Sequence, residues 1–147
     1  MIRIEIPFLP PSTNNAYLQT MRGPKMLLPK GRSYKNKAKT IIARTCREQL
    51  IGHKSNKPYL VLVRLFFERV ENKGWPNKSK NRYKTFDATN RIKLLEDALV
   101  EGTGVDDSNN MVFIVSKEVG TPERSDIFIW SLEEEECGIY DLIKRTE

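Results

Sequence analysis

Histidine is almost missing from this chain of 147 residues: there is one, His53. It lies in a polar stretch just after a helix-like segment, where a surface position or a helix C-terminus suits it. A histidine-dependent triad or histidine-based hydrolytic site therefore has no footing. Cysteine is nearly as scarce. Cys46 and Cys137 are far apart, with no CxxC spacing, which argues against a disulfide framework and a zinc site and leaves two reduced thiols. No stretch approaches the ~20 apolar residues of a membrane-spanning helix. The opening MIRIEIPFLPP is too short and too charged for a signal peptide, so a cytoplasmic protein is expected. Repeats and low-complexity modules are lacking too, and the length suits one domain over residues 1–147 with a real core.

Charge is present in quantity and unevenly placed. Residues 1–84 carry 19 Lys and Arg against 4 Asp and Glu, a balance of +15, whereas residues 85–147 carry 6 against 15, a balance of −9. A polyanion meeting the first half, nucleic acid foremost, accounts for this division, and an ordinary basic surface would raise the pI as well.

Ile2, Ile4 and Ile6 alternate with Arg3 and Glu5, which predicts a half-buried strand ending near Phe8. PPSTNNAY, residues 10–17, reads as an extended, turn-rich connection whose Asn14 and Asn15 could reach a phosphate or order metal-bound water. TMRGPKMLLPKGR, residues 20–32, reads as a flexible basic loop, with Arg22, Lys25, Lys30 and Arg32 able to follow a phosphate backbone. From Ser33, a plausible cap, to Ile51 an apolar stripe (Tyr34, Ala38, Ile41, Ile42, Thr45, Leu50) beside Lys35, Lys37, Lys39, Arg44 and Arg47 predicts a helix with a basic outer face. YLVLVRLFF, residues 59–67, predicts a central strand. The segment after it interleaves Lys73, Lys78, Lys80, Arg82 and Lys84 with Trp75 and Tyr83. That pattern suits phosphate attraction and base stacking, or else a hairpin tip whose Trp75 packs down on the sheet. Residues 111–119 and 126–132, around a Gly-Thr-Pro-Glu turn, predict a hairpin. The acidic tail that starts at Glu133 reads as a solvated face or a contact to basic surface. The order β-α-β-α-β-β predicts a small α+β fold: a mixed sheet of about four strands with two or three helices on it.

The stretch from Thr85 to Asp107, TFDATNRIKLLEDALVEGTGVDD, organises the rest. Ala88, Ile92, Leu95 and Leu99, widened by Leu94 and Ala98, form one apolar face of a helix of about twelve residues that Gly102 and Gly104 should stop. Asn90, Lys93 and Asp97 share a polar face. A glycine-containing return would bring Asp106 and Asp107 back toward Asp87, collecting carboxylates suited to Mg²⁺ or Mn²⁺ and an ammonium suited to phosphate. Each residue also has an ordinary role open to it: Asp87 or Thr89 as a cap, Lys93 and Asp97 as a solvated pair, Asp106 and Asp107 as turn residues.

Taken together, PPSTNNAY, the basic loop and helix after it, and FDATNRIKLLEDAL followed by VDD resemble the RusA-type Holliday-junction resolvases, small metal-dependent endonucleases of bacteria and their phages. The likeness covers most of the chain. Asn90, Lys93, Asp97, Ala98, Leu99, Asp106 and Asp107 fall in register with the family pattern. The resemblance implies that Asp87 and Asp107 are metal-binding catalytic acids with Asp106 assisting, that Lys93 stabilises phosphate charge, and that Mg²⁺ or Mn²⁺ is the cofactor. It further implies a homodimer that nicks two symmetric strands of a four-way junction. Thr89 departs from the pattern, standing where the family has a second acid, and so removes one negative charge from the site. Three readings follow from the sequence: a junction-cutting endonuclease, a non-catalytic binder of branched DNA with a degenerate metal site, and a general nucleic-acid-binding protein.

Overall fold

The computed structural model describes residues 1–18, 26–49, 58–83 and 88–131, with the side chains of residues 13, 14, 47–49, 89, 90 and 111 excepted. Strand β1 (Ile2–Ile6) is followed by one helical turn, α1 (Thr13–Ala16), a two-stranded ribbon of β2 (Tyr17–Leu18) and β3 (Met26–Leu27), and the long helix α2 (Pro29–Gln49). Then come β4 (Tyr59–Phe67), α3 (Thr89–Thr103), a 3₁₀ turn at Asp107–Asn109, β5 (Asn110–Val119) and β6 (Arg124–Ser131). The large sheet is mixed, in the order β1-β6-β4-β5. The small α+β architecture read from the sequence is the one observed.

β4 lies between β6 and β5 because both of its faces are apolar. Val61, Val63, Leu65 and Phe67 join the core shared with the helices, while Leu60 and Leu62 pack with Phe128 and Trp130 on the other side. A strand buried on both faces reads as an unbroken hydrophobic run rather than an alternating one. β1 is an edge strand and does alternate: Ile4 and Ile6 are buried, Arg3 and Glu5 are not. It stops at Ile6, where Phe8 N–H bonds back to the Ile6 carbonyl.

Three expectations need correction. The predicted hairpin of the last two strands does not form: β5 pairs with β4 in parallel and β6 pairs with β4 antiparallel, so β4 separates them. β4, α3 and β5 make a βαβ crossover. The four residues 120–123 then step over the end of β4, where Gly120 N–H meets the Phe67 carbonyl. Two strand spacings are only ~10 Å, a gap that a turn-like tetrapeptide spans as readily as it closes a hairpin.

Second, α2 begins at Pro29 rather than Ser33. Proline at a first helical position has its φ already set and lacks only an N–H that would go unbonded there. Lys30 and Arg32 are thus on a helix, not in a flexible loop. Third, α3 runs through Gly102 and ends only at Gly104, which adopts φ 71° as the C-cap. Gly102 serves packing instead: a Cβ there would come within 2.6 Å of Ile42 Cγ2 and 3.2 Å of the Lys39 carbonyl of α2. α3 buries Ile92, Leu94, Leu95, Ala98 and Leu99, and α2 buries Tyr34, Ala38, Ile42 and Cys46. Each large apolar side chain so buried contributes about 1.5–3 kcal/mol. Leu50, His53, Cys137 and the acidic tail lie outside the described residues.

Candidate active site

The acidic turn forms because Asp106, in extended backbone, caps the 3₁₀ turn: its carboxylate accepts the Ser108 N–H at 2.8 Å. Hydrogen bonds from Ser108 hold the Asp106 carboxyl below its ordinary range. The Asp106 carbonyl in turn accepts the Tyr59 hydroxyl at 3.2 Å. Tyr59 opens β4 and is in register with Asn110, the first residue of β5, so the parallel pairing of these strands sets the turn against the tyrosine.

Asp107 is exposed, and its charge is felt on both sides. Burial first, and then the charges of Asp107, Glu96 and Asp106, raise the Tyr59 phenol. Burial, then Asp107 and Asp97, raise the Glu96 carboxyl, with Lys93 opposing. The middle of α3 therefore faces the turn. Glu96 belongs to this group and is half-buried. On the adjoining flank, Asp97 accepts the Tyr17 hydroxyl at 3.2 Å. Burial, followed by the Asp97 charge and that hydrogen bond, pushes Tyr17 up to about 12. PPSTNNAY thus ends in a residue that touches α3, 80 positions later.

Of the acids and the lysine singled out in the sequence, Lys93, Asp97, Asp106 and Asp107 are described, and α3 and the turn bring them to one side of the molecule. Asp87 and Lys84 lie outside the described residues, as do Arg22 and Lys25, and so do the side chains of Thr89, Asn90 and Asn14. Asn15 is exposed on α1. Lys30 and Arg32 are exposed on the first turns of α2. Lys78, Lys80 and Arg82 are exposed on the loop after β4, where Trp75 and Tyr83 are also 44% and 57% accessible. That loop is pinned by Asn72, which donates to the Asn81 and Tyr83 carbonyls. Arg82 is engaged within it by Glu71, at 2.8 Å, and by the Tyr83 ring.

The donors beside the turn are all oxygens: carboxylates from Glu96, Asp106 and Asp107, and the Asn110 Oδ1, which is buried without a hydrogen-bond partner. Their chemistry fits a hard divalent cation better than zinc or copper. Among the described residues no three acids, histidines or cysteines close on one point; Asp87 would have to complete such a set. Tyr17, Tyr59 and Asn110 escaped the sequence reading. The one signal for Tyr59 and Asn110, their shared register, required knowing that β5 pairs with β4.

No helix among the described residues is long and apolar enough to cross a membrane. Residues 7–129 match the family model of the endodeoxyribonuclease RusA. No curated protein matches the chain.

Proposed function

The chain belongs to the RusA endodeoxyribonuclease family, metal-dependent nucleases that resolve Holliday junctions, and from that premise we propose how its own residues carry the activity. Asp87 and Asp107 hold the ion, Mg²⁺ or Mn²⁺, with Asp106 shaping the turn through its bond to Ser108. When bound, such an ion activates water and offsets charge developing on the phosphodiester. Lys93, exposed on the flank of α3 that faces the acids, adds a positive charge to the reacting phosphate. Tyr59 fixes the Asp106 carbonyl, and Tyr17 fixes Asp97, so the acids are held by groups that stay protonated at neutral pH.

Asn14, Asn15, Arg22, Lys25, Lys30, Arg32, Lys78, Lys80, Lys84 and Asn90 line the path of the DNA strands, with Arg82 contributing once it leaves Glu71. The full 147 residues act as one domain, in the cytoplasm, and two copies pair so that each nicks one of the symmetric strands. The observation that carries this reading is the family match over residues 7–129, joined to a turn whose Asp107 charge reaches Glu96 on α3.

The test is cleavage of a labelled four-way junction against linear duplex, with Mg²⁺ and then Mn²⁺. Paired symmetric nicks are expected, and Asp107→Asn should lower the rate at least about 10²-fold with junction binding retained. Thr89 favours one second reading, a junction binder that does not cut. Clean binding with no nick in either metal, and cutting gained in Thr89→Asp, would establish that reading instead.

A further inference from the structure

A groove separate from the acidic turn lies near the C-terminal end of β4. It measures about 470 Å³, with Phe8, Pro11 and Phe67 among its apolar walls, and with Lys30, Ser33, Tyr34, Lys37, Arg91 and Glu123 as its polar members. Phe67 is eight residues along β4 from Tyr59, the residue that touches the acidic turn. At ~3.3 Å per residue the two ends of the strand are about 26 Å apart.

Three features make the groove a site for an anion. Lys30, Ser33 and Lys37 stand at i, i+3 and i+7 of α2, hence on one stripe, with the lysines about 10 Å apart along the axis. Lys35 and Lys39 of the same helix are engaged by Glu101, whereas Lys30 and Lys37 meet no carboxylate among the described residues. Arg91 enters from α3, held by the Pro10 carbonyl and laid over the Phe67 ring. Three cations therefore face one acid, Glu123. The third feature is Tyr34, 6% exposed and edge-on to Phe8, whose buried hydroxyl has no hydrogen-bond partner. Burial raises this phenol well above its ordinary value, so it remains a donor. A buried donor left without an acceptor is costly, and an acceptor supplied by a ligand would remove that cost.

We propose that this groove binds backbone phosphates of a DNA arm, with Lys30, Ser33, Lys37 and Arg91 around the strand and the Tyr34 hydroxyl donating to a phosphate oxygen, as an anchoring site apart from the acids. A DNA strand offers a charge every 3.4 Å or so along its axis, and the lysine spacing spans several of these. The choice of DNA as the polyanion rests on the nuclease reading.

The test uses the full chain in a chelator, so that nothing is cut. Amide resonances are followed by ¹H–¹⁵N spectroscopy while a short duplex, or a deoxynucleoside monophosphate at equal phosphate concentration, is added. The duplex should shift the amides of Ser33, Lys37 and Arg91. Tyr34→Phe should weaken duplex affinity about tenfold, the loss of one hydrogen bond to a charged group, without lowering the melting temperature, since the hydroxyl has no partner in the free protein. Lys30→Ala with Lys37→Ala should reduce the slope of log affinity on log salt by about 1.8. Equal shifts with the mononucleotide would overturn the assignment to a backbone in favour of a small phosphate ligand. Duplex shifts confined to Lys93 and Asp107 would overturn the groove and leave the nuclease reading standing. No shift anywhere with duplex or with a four-way junction would sink both.

Discussion

Gly102→Ala should destabilise the protein, although alanine is the better helix former. In an exposed helix interior the change would gain about 1 kcal/mol. Here the new methyl would lie 2.6 Å from Ile42 Cγ2, 2.8 Å from Ile42 Cβ and 3.2 Å from the Lys39 carbonyl. Comfortable carbon contacts are about 3.5–4.0 Å, so α3 and α2 must part by about 1 Å, and the backbone carbonyl cannot rotate aside. Overpacking costs about 1–3 kcal/mol; with two contacts under 3 Å this site falls in the upper part of that range, about 2–3 kcal/mol, so subtracting the propensity gain of about 1 kcal/mol leaves a net loss of about 1–2 kcal/mol. For a chain of this length that is a fall in melting temperature of roughly 2–8 °C. Thermal unfolding by circular dichroism reads it directly. Ile42→Ala combined with Gly102→Ala removes the colliding Cγ2, so the double variant should lose less than the sum of the two single losses, with a coupling of about 1 kcal/mol. A Gly102→Ala protein as stable as the wild type, or more so, would refute the reasoning about this helix contact.

Gly104→Ala meets no steric neighbour but must hold φ 71°; it should cost about 1 kcal/mol with no coupling to Ile42, measured in the same melts. Glu96 has a raised folded pKa, so its ionisation opposes folding: this contribution is absent at acid pH and grows as pH rises from the ordinary carboxyl range through the folded value. Metal-free Glu96→Gln should therefore be the more stable protein at pH 7 and gain nothing at pH 3, and urea titrations at the two pH values check the sign. Asp126 is 3% exposed between Arg3 and Arg124. Asp126→Ala removes the carboxylate from an exposed Arg3 and a half-buried Arg124 and should cost about 1–2 kcal/mol by chemical denaturation. Glu118 is held below its ordinary pKa chiefly by Arg64; its stabilising share is present above the ordinary carboxyl range and is lost as pH falls through the folded value. The difference between wild type and Glu118→Gln should accordingly shrink between neutral and acid pH.

The parts of this fold legible in the sequence are those written in one-dimensional periods. Ile92, Leu95 and Leu99 on α3 and the run of β4 report burial directly, and both lie where the pattern put them. What the pattern does not encode is which strand meets which. Residues 120–123 have turn chemistry whether they join neighbours or step across β4, so the hairpin expectation failed, and the register of Tyr59 with Asn110 was lost with it. Gly102 shows the same limit at a smaller scale: a glycine near a helix end can stop the helix or admit another helix, and only the position of Ile42 distinguishes the two. The candidate site was legible in part, as acids and a lysine on one helix and the turn after it. Its tyrosines were not, because a hydroxyl that spans 80 positions to Asp97 leaves no mark in local spacing.

The charge division of the chain also takes on a different meaning in three dimensions. Part of the basic excess of the first half is answered by acids of the second: Lys35 and Lys39 by Glu101, Arg64 by Glu118, Arg3 by Asp126. These pairs tie α2 to α3 and β4 and β1 to their neighbours, so the sequence-level balance of +15 overstates the surface offered to a polyanion. Among the described residues Glu96, Asp97, Asp106 and Asp107, on α3 and the turn, form no such pair, and their charges add to burial in raising Glu96 and Tyr59. Repulsion among carboxylates is a standing cost to the fold, and a bound cation would turn that cost into affinity. Thr89 stands seven positions before Glu96 on α3, a spacing that returns to the same stripe of a helix, so an acid at position 89 is expected to add to the repulsion in the metal-free protein. On this argument Thr89→Asp should lower the metal-free melting temperature and raise it more steeply with added Mn²⁺ than the wild type does. A variant equally stable with and without metal would mean that Glu96 and residue 89 do not share one electrostatic site.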